Sequence, residues 1–388
     1  MSTGTYPLLA CCRVERRRRL EPQTIYFLAS DLSACGSARQ LARLALGLSR
    51  DRYRVEVAVL GSASTCIAQM LTSSGIPVHS VPIRNAIDFS AMRRLRRIVA
   101  ASNPSIVHAW GSAAVRATRL ISTSRTDNGN QPRVVASSAS FPPGGIAGWL
   151  AARRLRRCDR VVPSTWAEAD RYRRLGVLSE RLTRIAPGIA PPSEPPNREI
   201  LKKELGLPEV ARFIAVAGRL EGASDFKSAI WAFDLVRYEY PELHLVIFGA
   251  GPERQALEEF ARALMFDDLR VRFAGSRADL PEALAHAEFV WITHERGAVA
   301  LALEAMAAGK PVLGWSTPEL AEVVEDEQAE HLVAPADRAQ LAVKTYPLLR
   351  DPTLVTRFAQ AGVRHVREHY SERRMIEQFE RLYDELVR

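Results

Sequence analysis

No apolar run in the sequence reaches the roughly 18–20 residues that a membrane-crossing helix needs, so no helical span is expected. The first twenty residues, MSTGTYPLLACCRVERRRRL, carry their charge after a short apolar patch, the reverse of a secretory signal. Residues 1–21 therefore read as a disordered basic tail. Cysteine is scarce and odd in number: Cys11, Cys12, Cys35, Cys66 and Cys158, with no CxxC spacing. That argues against a disulfide framework or a zinc site and fits a reducing, cytoplasmic setting. Aromatic residues are only 7% of the chain, and none interrupts the arginine runs Arg93–Arg97 and Arg153–Arg157. Both runs lie in helical patterns, where solvated faces explain them, so nucleic acid is not an expected partner.

What is present is ordinary for a globular chain: 388 residues, 47% hydrophobic and 25% charged, enough for two cores. The net charge of +9 and pI near 9.6 suit anionic partners such as sugar nucleotides or anionic lipid headgroups. Short apolar strands alternate with amphipathic helices from Thr24–Ala29 onward, through Tyr53–Leu60, Ser105–Trp110, Val134–Ser137 and Arg160–Pro163. Five prolines then crowd Pro187–Pro196, a composition that serves as a linker. The alternation restarts with Arg212–Ala217, the helix Ser224–Tyr238 and His244–Phe248, and His331–Ala334 reads as one more strand. The expected class is α/β, with two Rossmann-like, doubly wound parallel sheets facing a central cleft. Expected bounds are 22–190 for the first domain, 191–204 for the linker, 205–370 for the second domain and 371–388 for a terminal helix.

The stretch Gly297–Gly314, GAVALALEAMAAGKPVLG, organises the second half. It reads as an apolar helix whose one charged side chain is Glu304, with Gly309 and Pro311 stopping it. An unmet carboxylate in such a segment costs several kcal/mol. Loops between a strand end and the next helix carry function in such folds, because helix amino ends gather unpaired amides. Four stand out: Ser33–Ala38, with Gly36 and Ser37 able to approach a phosphate; Gly218-Arg219; Gly249–Arg254, with Gly249 and Gly251; and His294–Gly297. The third of these has Arg254 where a dinucleotide fingerprint wants its third glycine.

The order GRL, HLVIFGAGPER, VRFAGSRADLPEAL, LEAMAAGKPVLG and LVAPAD, with CGSARQLARLALGL, VHAWG and RIAPGI before the linker, resembles the family 4 (group 1) retaining glycosyltransferases of GT-B fold. The resemblance spans about residues 22–388. It implies an acceptor-binding first domain, a second domain for a nucleotide-sugar donor, and a final helix that crosses back. It implies no metal and no cofactor beyond the donor as substrate. Arg219 matches the arginine on the donor pyrophosphate, Glu304 the carboxylate that holds the ribose, and Gly249 and Gly251 the loop beside the base.

Other positions depart from that pattern. Arg296 stands where a first glutamate is expected, with Glu295 adjacent and Gly297 following. Val299 replaces a glycine at the phosphate approach. Ser224 replaces a lysine and Asp225 the glycine after it, with Lys227 nearby. Ser138 or Ala139 stands where a histidine is usual, leaving His108 with Trp110 in VHAWG on the acceptor side. No hydrolase-type carboxylate pair is evident, so glycosidase chemistry is not expected. Two readings stand. One is a retaining transferase acting on a saccharide or lipid-linked acceptor, in cell-envelope or exopolysaccharide synthesis, at the inner face of the membrane. The other is a catalytically impaired relative that binds a nucleotide, a glycan or a partner protein; a two-domain sugar-nucleotide epimerase is a distant third.

Overall fold

The computed structural model describes residues 22–388 except 34–35, 84–87, 122–130, 138–148, 150–151, 192, 267, 269, 295–297 and 325. The basic tail 1–21 lies outside the described residues. Two parallel sheets form two lobes. The first has strand order β3-β2-β1-β4-β5-β6 and the second β11-β10-β7-β8-β9. Here β1 is Gln23–Ala29, β2 Tyr53–Val59, β3 Val78–Ser80, β4 Ile106–Trp110, β5 Arg133–Ser137 and β6 Arg160–Val162. In the second lobe β7 is Arg212–Ala217, β8 Leu243–Phe248, β9 Val271–Gly275, β10 Val290–Ile292 and β11 Val312–Gly314. Both orders are those of doubly wound sheets.

Helices cover both faces, so central strands are apolar on both sides. In β1, Ile25, Phe27 and Ala29 face helices Gly36–Gly47 and Cys66–Ser73, while Tyr26 and Leu28 face Phe89–Ala101 and Ser112–Ile121. In β7, Phe213 and Ala215 face one core, and Ile214 and Val216 the other.

The chain crosses between lobes twice, and the crossings pair: Ile189 N–H donates to Tyr370 C=O at 2.8 Å. The second crossing delivers the terminal helix Glu372–Val387 to the first lobe. There Met375, Phe379, Leu382, Tyr383 and Leu386, spaced as one helical face, join the core of the first sheet. A Cβ on Gly47 would lie 2.1 Å from Ile376 Cδ1, so the terminal helix lies hard against the helix Gly36–Gly47.

Three expectations need correction. The linker expected over 191–204 ends in a helix, Arg198–Glu204, because Asn197 caps it and Leu201 drops into the second-lobe core. His331–Ala334 forms no strand, only the isolated bridge Val333–Trp315. The helix expected from Ser224 starts at Phe226, since Asp225 takes a left-handed conformation (φ 46°) and caps it.

The terminal helix completes the first lobe's core. Phe379→Ala and Leu382→Ala should each destabilise that lobe by about 2–5 kcal/mol, measured by denaturant unfolding with a first-lobe probe.

Candidate active site

Strand order reverses between β1 and β4 in the first sheet and between β7 and β10 in the second. Crevices open at the carboxyl ends of strands at such points. Ser30 and Asp31 follow β1, Gly218 and Arg219 follow β7, and Thr293 and His294 follow β10. Arg219 reaches across to the first lobe and pairs with Asp31, while its Nε–H donates to Glu221 at 3.0 Å. Its side chain is 47% exposed.

A second interlobe pair is dry. Glu304, in the helix Val299–Ala307, is wholly buried. It accepts the Nε–H of Arg39 at 2.8 Å, a second N–H of the same guanidinium, and an N–H of Arg43 at 3.1 Å. Both arginines project from the helix Gly36–Gly47, one turn apart. Burial pushes the Glu304 carboxyl up, but Arg39 and Arg43 more than offset it and hold its pKa below the ordinary value. The two helices meet at their amino ends, where a Cβ on Gly36 would lie 3.1 Å from Ala300 Cβ.

The remaining expected residues divide by what holds them. Ser224 is turned inward: its hydroxyl donates to Arg219 C=O at 2.7 Å and its own C=O accepts from Thr293 at 2.8 Å. It shapes the Arg219 loop and presents no hydroxyl to the crevice. Gly218, Gly249 and Gly251 are glycines by close approach. A Cβ would lie 2.3 Å from His294 Nε2, 1.8 Å from Gly218 O and 2.3 Å from Leu220 O respectively. Ser37 lines a pocket of about 70 Å³ together with Gln40, Trp110, Ser137, Val299 and Ala300. His108 lies fully buried between Tyr383 and Ser137. Glu295, Arg296, Gly297 and Ser138 lie outside the described residues.

Sequence reading missed Asp31, Arg39, Gln40 and Arg43. The Gln40 amide clamps the first crossing, donating to Gly188 C=O at 3.0 Å and accepting from Gly188 N–H at 2.9 Å. Arg39, Gln40 and Arg43 lie on the side of this helix away from Leu41, Leu44 and Ala45, which reads from sequence as a solvated face and is turned toward the second lobe in the structure. Chemically, a guanidinium at one switch point and a helix amino end beside it favour a bound polyanion between the lobes.

Two such sheets opposed across a crevice define the GT-B architecture. Anabaena HepE in complex with UDP-glucose shares it, with a TM-score of 0.79, 18% identity and coverage of 93% of this chain and 99% of that one. The chain belongs to the group 1, family 4 glycosyltransferases: "Glycosyl transferases group 1" matches residues 197–365 and "Glycosyltransferase Family 4" matches residues 34–191. Among curated relatives, N-acetyl-alpha-D-glucosaminyl L-malate synthase of Bacillus anthracis is 25% identical over 48% of this chain and 49% of its own length. D-inositol 3-phosphate glycosyltransferase of Salinispora tropica is 30% identical over 59% of this chain and 51% of its own. The chain thus spans about half the length of these relatives.

Glu304→Gln leaves two guanidinium groups facing a neutral amide in a dry interface and should destabilise the chain by about 3–5 kcal/mol. Because Glu304 is easier to ionise folded than unfolded, its contribution is full above the ordinary carboxylate pKa and fades as pH falls through the lower folded value. Urea titrations from neutral to acid pH should show that loss in the native chain and a shallower acid limb in Glu304→Gln.

Proposed function

We propose that the chain transfers a sugar, with retention, from a nucleotide-activated donor to a saccharide or lipid-linked acceptor in cell-envelope or exopolysaccharide glycan synthesis. The observation that supports this best is Arg219, placed at the second lobe's switch point and meeting the first lobe's switch point at Asp31. Charge develops on a departing pyrophosphate, and a guanidinium beside a helix amino end stabilises it in place of a cation. The HepE complex, solved with UDP-glucose, makes a uridine diphosphate sugar the first donor to try.

A second reading has its own support. Both Glu304 oxygens are engaged by Arg39 and Arg43, and Ser224 is turned inward, so two donor-side positions already have internal partners. That favours a relative with weakened transfer that still binds nucleotide or glycan.

Membrane contact fits the helix Phe89–Ala101, where Arg93, Arg94, Arg96 and Arg97 are exposed beside an exposed Phe89. Each basic residue near an anionic surface contributes about 1 kcal/mol. Among the described residues no helix is long and apolar enough to cross a bilayer.

Incubated with a panel of nucleotide sugars, the chain should release nucleoside diphosphate from at least one, with a chelator making no difference. Arg219→Ala should lower that rate by at least about 100-fold, the scale of losing one charge-stabilising donor. Absence of both turnover and thermal stabilisation across the panel overturns the transfer reading. Stabilisation without turnover selects the second.

A further inference from the structure

Three polar side chains inside the first lobe form a single hydrogen-bonded file that ends at the interlobe pocket. Tyr383 of the terminal helix lies 2.7 Å (OH to Nδ1) from His108 of β4, and His108 Nε2 lies 2.8 Å from the Oγ of Ser137, the last residue of β5. Tyr383 and His108 are fully buried, with the rings of Phe27, Trp110 and Phe379 packed against the imidazole. Burial lowers the His108 pKa to about 3, so at neutral pH its ring has one N–H donor and one bare acceptor nitrogen.

Two proton arrangements satisfy those distances, and they differ in which proton is left over. If Nδ1 carried the proton, it would donate to Tyr383, whose own hydroxyl proton would then have no acceptor among the described residues in a dry core. A stranded buried donor costs about 1–3 kcal/mol. If Nε2 carries it, Tyr383 donates to Nδ1 and Nε2–H donates to Ser137 Oγ. The leftover proton is then that of Ser137, which borders the pocket of about 70 Å³ between the lobes. The second arrangement strands nothing in the dry core.

The same pocket is bordered by Ser164, whose hydroxyl donates to Glu168 at 2.8 Å, and by Val299 and Ala300 at the start of the second-lobe helix. Its volume suits about two water-sized groups. We infer that Ser137 is a hydrogen-bond donor aimed at the interlobe pocket by His108 and Tyr383, and that it selects a saccharide acceptor by an oxygen lone pair on one hydroxymethyl-sized group. Ser137 is the residue that touches ligand; His108 and Tyr383 are positioning residues. This inference rests on the transfer reading for the identity of the ligand, but not for the direction of the hydrogen bonds.

The test has two arms on the full chain. Long-range ¹H–¹⁵N spectra of the ¹⁵N-histidine-labelled protein, with His108→Gln to assign the signal, should show a protonated Nε2 and a bare Nδ1 at neutral pH. A protonated Nδ1 overturns the inference, because Ser137 would then spend its proton on the ring. In acceptor kinetics, Ser137→Ala should raise KM about fivefold to tenfold, the size of one neutral hydrogen bond, and lower kcat by less. Tyr383→Phe should move KM the same way while the folded far-ultraviolet spectrum is kept. An unchanged KM in Ser137→Ala overturns the inference even if transfer is observed. A chain with no transfer at all defeats the functional reading, and the tautomer alone then decides whether Ser137 is a donor.

Discussion

The lobes depend on one dry contact: a carboxylate in the most apolar helix of the second lobe, met by two guanidinium groups from the first. Glu304 alone in that helix would be a severe liability, since a buried unpaired charge shifts its pKa or prevents folding. Arg39 and Arg43 remove the liability only when the lobes are apposed. The contact therefore ties two things together. It fixes which face of the helix Val299–Ala307 turns inward and brings Gly36 against Ala300. A hydrophobic substitute of similar volume could match its stability. It could not enforce the same register, because apolar contacts are non-directional.

The fold was legible because its determinants are local and periodic. Apolar strand runs such as TIYFLA and RFIAVA, interleaved with amphipathic helices and broken once by prolines, admit little besides two doubly wound sheets. Boundaries failed where one residue's side chain overrode composition. Asn197 capped a helix inside the proline-rich stretch, and Asp225 took a left-handed conformation one residue before the helix at Phe226. Neither outcome follows from periodicity, because a cap is decided by one side chain's hydrogen bonds to the first helical amides.

The site was less legible, for a different physical reason. Arg219 was found by its place directly after a strand and Glu304 as the one charge of an apolar helix, but their partners lie 188 and 265 positions away in sequence. No spacing rule within one segment reaches that far. Ser224 shows the converse. Its match to the resembled family's lysine suggested a donor contact, whereas its hydroxyl closes onto the carbonyl five residues back, a local alternative that serine readily takes. His108 was legible as a lone polar residue at a strand end. Its partner Tyr383, however, comes from the last helix, so its role was invisible until the chain had folded back.

Among the ion pairs that join the lobes, which also include Arg171 with Glu319 and Arg184 with Glu322, the Glu304 and Arg219 pairs differ in what they allow. Glu304 and Arg39 are dry, so their attraction is little screened and separating them exposes charges that had matched one another. Arg219 and Asp31 are in contact with solvent, where such a pair is worth about 0–1 kcal/mol. A polyanion competing for Arg219 therefore has almost nothing to displace, whereas one competing for Arg39 would have to open the dry seam. The exposed guanidinium is the exchangeable one. The buried pair is the hinge pin, and a ligand group that reaches the helix Val299–Ala307 must do so without breaking it, or must meet the separated charges itself.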